Sequence, residues 1–197
     1  SAFRRLKDRQ IINIGDKSWQ VITGRGHSFE HVCLFNAEFK LLIAGDQLLP
    51  HISPNVSVMS TEPEASPLHD WFSSLDRLLA LPADTLVLPA HNKPFYGLHQ
   101  RVEALKAHHE LQLKRILQAC AQQPKRPVAL LKTLFGREMA FSDMGLAIGE
   151  CKAHLHMLLV RQMLKCELVD GVEHYQTLAR FATMGIAENT TGLAECE

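Results

Sequence analysis

The stretch Thr23-Gly24-Arg25-Gly26-His27-Ser28-Phe29-Glu30-His31 joins two runs rich in β-branched and aromatic residues, Trp19-Gln20-Val21-Ile22-Thr23 and His31-Val32-Cys33-Leu34-Phe35. Such runs read as strands, and the glycines between them free the backbone to turn sharply and aim His27. The same device recurs twice. Lys40-Leu41-Leu42-Ile43-Ala44-Gly45 delivers Asp46, and Thr85-Leu86-Val87-Leu88-Pro89-Ala90 delivers His91. Each potential metal ligand therefore stands where a short strand gives way to a loop. Imidazole and carboxylate together suit a borderline or hard divalent ion, and a carboxylate can bridge two of them.

Locally, each residue has a plainer reading. His27 could be a turn histidine bonded to backbone. Gly45-Asp46 is a common strand-end cap or Asx turn, and Pro89-Ala90-His91 alone is unspecific. His31 reads better as a residue that orients the loop or supports a ligand from behind. His51, His69 and His99 have no motif around them and read as surface residues. His109 falls near the apolar stripe of its helix and reads as a satisfied core histidine, and His154 and His156 as packing residues.

Working outward, Ile11-Ile12-Asn13-Ile14, the turn Gly15-Asp16 and the Trp19 run make a hairpin, and residues 31–35 and 40–44 a second pair. Leu48 to Pro67, with four prolines, reads as an irregular loop of the kind that borders active sites, with Ile52 to Val56 shaping a pocket. Ser66-Pro67 suggests an N-cap and first helical residue. Leu68, Trp71, Phe72, Leu75, Leu78 and Leu79 then recur at helical spacing until Pro82. A longer helix is predicted over 98–121. Strands and helices in this order fit an α/β layer in which helices cover a sheet. After Gln123-Pro124-Lys125-Arg126-Pro127 come a short helix (128–135) and a longer one (144–165). A hairpin follows around Asp170-Gly171, a pair that favours a type I′ turn.

As a set, Gly26-His27-Ser28, Gly45-Asp46 and Pro89-Ala90-His91 resemble the last three metal-binding motifs of the metallo-β-lactamase-fold hydrolases, a group that includes glyoxalase II-like thioesterases. Gly149 to Leu155 and the later hairpin resemble the small winged-helix C-terminal domain of one bacterial branch. The resemblance runs from about Ile11 to Gln176 and is most specific in the first half. It implies the C-terminal half of an αββα sandwich over 1–122, a linker at 123–126, a winged-helix-like domain over 127–186 and a tail at 187–197. It also implies that His27 ligates one metal, His91 the other, and Asp46 bridges them as the catalytic carboxylate. Two zinc ions are expected in the complete protein, with iron or manganese as alternatives. A metal-bound hydroxide would then hydrolyse a thioester, ester or lactone.

That family opens its site with an upstream His-x-His-x-Asp-His motif, which has no counterpart here, and the chain begins Ser1-Ala2 rather than Met. The expectation is the C-terminal portion of a larger hydrolase, inactive by itself, with a small-molecule substrate, the missing N-terminal half and a homodimer mate as its partners. An alternative is a non-catalytic dimerisation fragment, since half a sandwich exposes sheet edges and a core face. Nucleic-acid binding through the winged helix is the third reading. It needs a basic face, and Glu150 and Glu167 flank Lys152, Arg161 and Lys165.

Composition bounds the rest. The 197 residues, 46% hydrophobic and 21% charged, suit a globular domain or two. A formal net charge of +0 makes no electrostatic case for nucleic acid or an anionic membrane. The five cysteines include no C-x-x-C pair, which points to reduced thiols in a cytoplasm rather than a disulfide framework. No apolar run is long enough to span a bilayer.

Overall fold

The computed structural model describes residues 3–182. They form two compact units, divided inside one helix between His109 and Glu110. The first unit holds strands β1 (Ile11–Ile14), β2 (Lys17–Gly24), β3 (His31–Asn36) and β4 (Leu41–Gly45), helix α1 (Pro67–Leu78), strand β5 (Leu86–Pro89) and the start of helix α2 (Leu98–Gln122). The sheet order is β1-β2-β3-β4-β5. The first four strands form an antiparallel meander, and β5 adds in parallel to β4. A parallel neighbour needs a crossover, which the 48–67 loop and α1 supply. The fold class is mixed α/β, with helices on a sheet.

Alternation sets the two faces of the sheet. Cys33, Phe35, Leu42, Ala44 and Val87 are buried. On the other face Leu34, Ile43 and Leu88 stand in register across β3, β4 and β5. There Val32 and Ile43 are exposed, and Leu34 and Leu88 are only half-buried. Helix α1 buries Leu68, Trp71, Phe72, Leu75 and Leu78 and packs on β2. Each such side chain contributes about 1.5–3 kcal/mol, which is what holds a helix too short to persist alone in water. Ser66 occupies the N-cap position, yet its hydroxyl makes no capping bond and is buried without a partner. The capping expectation fails there; Pro67 at the first helical position and the apolar face carry the start of α1.

The second unit contains the rest of α2, helix α3 (Pro127–Phe135), helix α4 (Met144–Val160) and the hairpin β6 (Leu164–Val169) and β7 (Val172–Thr177). Asp170 and Gly171 both take positive φ, 51° and 75°, as a type I′ turn requires. The long helix expected to reach Lys165 stops at Val160, and the hairpin starts earlier than its turn signal alone suggested. The break comes at Gln162, whose φ of 55° ends the helix without a glycine. Lys125, within the stretch read as a linker, bonds Tyr175 of β7 through both its N–H (2.9 Å) and its carbonyl (2.8 Å). The proposed tail, 187–197, and the last residues of the proposed second domain lie outside the described residues.

Candidate functional site

Strand direction gathers the site. β2, β4 and β5 run one way and β3 the other, so the ends of β2, β4 and β5 and the start of β3 meet at one end of the sheet. His27 lies in the β2–β3 loop, His31 opens β3, Asp46 follows β4, and His91 follows β5. Open α/β sheets bind ligands outside the carboxyl ends of their strands for this reason. A bulge in the β4–β5 ladder between Ile43 and Gly45, with the Ala90 N–H donating to the Gly45 carbonyl at 2.9 Å, fixes the two strand ends together.

All four predicted residues come together there. His27 Nε2 is 3.7 Å from Asp46 Oδ2, and His91 Nε2 is 3.4 Å from Asp46 Oδ1. One carboxylate thus stands between two imidazoles, with a different oxygen toward each. His31 Nε2 accepts the backbone N–H of Asp46 at 3.2 Å. Burial, and then the neighbouring His27, lower the His31 pKa, while Asp46 opposes the shift. His31 is accordingly held as a neutral acceptor. His27 Nδ1 lies 2.9 Å from the Asn55 carbonyl. A carbonyl only accepts, so Nδ1 carries a proton, and Nε2 is the nitrogen that faces Asp46.

Close approach governs the turn before His27. A Cβ on Gly26, at φ 106°, would lie 2.3 Å from Trp71 Cβ and 2.7 Å from the Pro67 carbonyl oxygen. The first turn of α1 therefore sits directly against the loop backbone. Gln47, just past Asp46, lies across Gly24 and reaches the Arg25 carbonyl at 3.4 Å, and its own carbonyl accepts Trp71 Nε1–H at 3.2 Å. A cavity of about 180 Å³ opens beside His27, walled by Phe29, Met59, Ala65 and Pro67, with Arg25 and Asp70 also lining it.

The donors suit a metal pair in part. Among the described residues no group of three His, Cys, Asp or Glu side chains is arranged to hold an ion by itself. What the geometry offers is two half-sites, each an imidazole with one oxygen of a shared carboxylate. His91, with its side chain 66% exposed, is the more open half.

The other histidines separate cleanly. His99 bonds the Leu81 carbonyl at 2.9 Å, His69 lies beside Asp70, and His51 is exposed. His109 is buried, edge-on to Trp71, with Nε2 2.8 Å from Ser53 Oγ. His154 is buried and bonds the Glu150 carbonyl at 2.8 Å. Arg101 drew no attention in the sequence, yet it donates Nε–H to the Leu49 carbonyl at 2.6 Å and an Nη2–H to the Ile52 carbonyl at 3.0 Å. Nothing in its local pattern marks it, because both partners are backbone atoms some fifty positions earlier.

The family model described as "Metallo-beta-lactamase superfamily" matches residues 3–91, the stretch that carries His27, Asp46 and His91. A second, "Metallo-beta-lactamase-like, C-terminal domain", matches residues 113–178. Over these two stretches the chain resembles the metallo-β-lactamase superfamily. Among superfamily structures, a beta-lactamase domain protein from Burkholderia ambifaria is 41% identical with a TM-score of 0.87, over 90% of this chain and 53% of that one. A metallo-beta-lactamase family protein from Thermus thermophilus is 32% identical with a TM-score of 0.75, over 88% and 54%. The hydroxyacylglutathione hydrolase of Francisella tularensis subsp. novicida (strain U112) is 30% identical over 87 residues, 44% of this chain and 32% of that protein. The chain thus spans about half the length of these solved superfamily members and a third of the curated one.

Proposed function

We propose that this chain is part of a dinuclear metal-dependent hydrolase acting on a thioester, ester or lactone. The observation that supports this most is the single Asp46 carboxylate set between His27 and His91 with one oxygen toward each. His27 would hold one ion, His91 the other, and Asp46 would span them; zinc, iron or manganese suits this donor set. When bound, such ions supply the Lewis acidity that activates water and polarises the carbonyl under attack. The chain's own residues do the positioning. Asn55 fixes the His27 tautomer, and His31 holds the Asp46 backbone. The cavity beside His27 receives the apolar part of the substrate against Phe29, Met59 and Pro67.

Two half-sites bind more weakly than one completed site. Zinc affinity in the isolated chain is expected to be modest and turnover slight. The apolar row Leu34-Ile43-Leu88 favours a place for this sheet inside a sandwich whose remaining length lies elsewhere in the full protein. Zinc titration against a competing chelator tests the ligand set: His27→Ala and Asp46→Ala should each weaken binding at least tenfold. Unchanged affinity in both would sink the proposal. Chelator-sensitive hydrolysis should appear in a longer form of the protein and vanish with Asp46→Ala.

We also propose a cytoplasmic setting, since Cys33, Cys120 and Cys151 are buried as free thiols; among the described residues no helix is long and apolar enough to cross a membrane. A winged-helix-like role for the second unit is read as packing rather than nucleic-acid contact. Lys152 pairs with Glu173 at 3.0 Å, Arg161 with Glu110, and Lys165 with Glu167 at 2.7 Å. Cations already matched by carboxylates offer little to phosphates.

A further inference from the structure

The loop between β4 and α1 is fastened by α2 on one side and touches His27 on the other. Arg101 grips the carbonyls of Leu49 and Ile52 with two donors of one planar guanidinium. Two helical turns further on, His109 Nε2 meets Ser53 Oγ at 2.8 Å, its ring enclosed by Trp71 and Phe72. Pro54 and Val56 are buried on either side of Asn55. The Asn55 carbonyl is thereby fixed in space where it accepts His27 Nδ1–H at 2.9 Å. These anchors of the loop lie outside the ligand set.

We propose that Arg101 and His109 are positioning residues that set the tautomer and direction of the His27 imidazole through the loop 49–57. The loop acts as a rigid splint between a helix and a ligand. A histidine whose Nδ1–H is committed to a carbonyl presents Nε2 as its only donor atom, aimed along a fixed line. If the splint loosens, the ring rotates and the proton redistributes to Nε2, which removes the lone pair facing Asp46. The inference rests on reading His27 as a ligand through Nε2, but its test does not depend on turnover.

The His27 tautomer is read directly from long-range proton–nitrogen correlations of the ¹⁵N-histidine-labelled chain, at a pH where the ring is neutral. The unaltered chain should show His27 as a single Nδ1–H species. Arg101→Met and His109→Phe should each convert it to a mixture of tautomers, with zinc affinity falling about tenfold, the range typical of groups that orient a ligand from behind. Arg101→Lys, which keeps one donor, and His109→Gln, which keeps an N–H near the Nε2 position, should restore part of both. Ser53→Ala, which removes one oxygen and no appreciable volume, carries the test if either larger change unfolds the sheet. A His27 that stays wholly Nδ1–H in folded Arg101→Met and Ser53→Ala overturns the proposal. Zinc affinity insensitive to His27→Ala would instead overturn the ligand reading and leave the tautomer result to stand.

Discussion

Replacing Gly26 by alanine is the sharpest perturbation of the site that leaves every ligand in place. At φ 106° an alanine is strained, at a cost of about 1–2 kcal/mol for left-handed backbone. Its Cβ would also lie 2.3 Å from Trp71 Cβ and 2.7 Å from the Pro67 oxygen. Neither atom is the far end of a flexible side chain, so the loop must move away from α1, and overpacking of this kind costs roughly 1–3 kcal/mol. Together the loss should be about 2–5 kcal/mol, a large share of what holds a small domain. Gly15 provides the control: its φ is 64°, and nothing lies within 4 Å of its Cβ position. Gly15→Ala should therefore show only the backbone cost, about 1–2 kcal/mol. Urea denaturation followed by tryptophan emission reports this unit, since Trp19 and Trp71 both lie in it. Zinc affinity should fall in Gly26→Ala alone, because His27 follows the displaced backbone. Equal stability losses in the two variants, with zinc binding unchanged, would refute the claim that α1 presses on the His27 turn.

Burial pushes Glu150 from its ordinary 4.5 up to about 7. A raised folded-state pKa gives stability that is whole below 4.5 and lost as pH climbs through 7, about 3 kcal/mol by pH 8; in hydrogen exchange of α4, Glu150→Gln should match the unaltered chain at pH 4.5 and exceed it at pH 8. Burial also raises the Cys33, Cys120 and Cys151 thiols to about 12. In a Cys196→Ser background a thiol reagent should label Cys166 promptly, and those three only on unfolding. Arg161→Met, which breaks the bidentate pair with Glu110, should leave duplex DNA affinity as low as before at every salt concentration; a clear drop would show that Arg161 contacts phosphate.

Much of the first unit was legible because its signals are local. Short runs rich in β-branched and apolar residues marked β2, β3 and β4, and Trp71, Phe72 and Leu75 at helical spacing marked α1, as the structure has them. Asp170-Gly171 marked its turn because positive φ at two successive residues demands such a pair. Other details failed for equally physical reasons. Ser66 stands at the N-cap position as expected, but its buried hydroxyl makes no bond to the helix amides. The end of α4 at Val160 carries no glycine or proline, and Gln162 at positive φ makes the break instead.

The residues of the candidate site could be nominated from sequence because Gly26-His27-Ser28, Gly45-Asp46 and Pro89-Ala90-His91 stand at strand ends and as a set resemble known metal-binding motifs, although each alone had a plainer reading. By itself, then, the sequence determined the strands, the helices, the turn residues and which side chains stand at strand ends. Their convergence depended on strand order and direction, which placed His27, Asp46 and His91 at one end of the sheet with a carboxylate oxygen toward each ring. The grip of Arg101 and His109 on the 49–57 loop was also invisible in the chain. Contacts between residues some fifty positions apart arise only when helix and loop are packed together, and no local pattern records them.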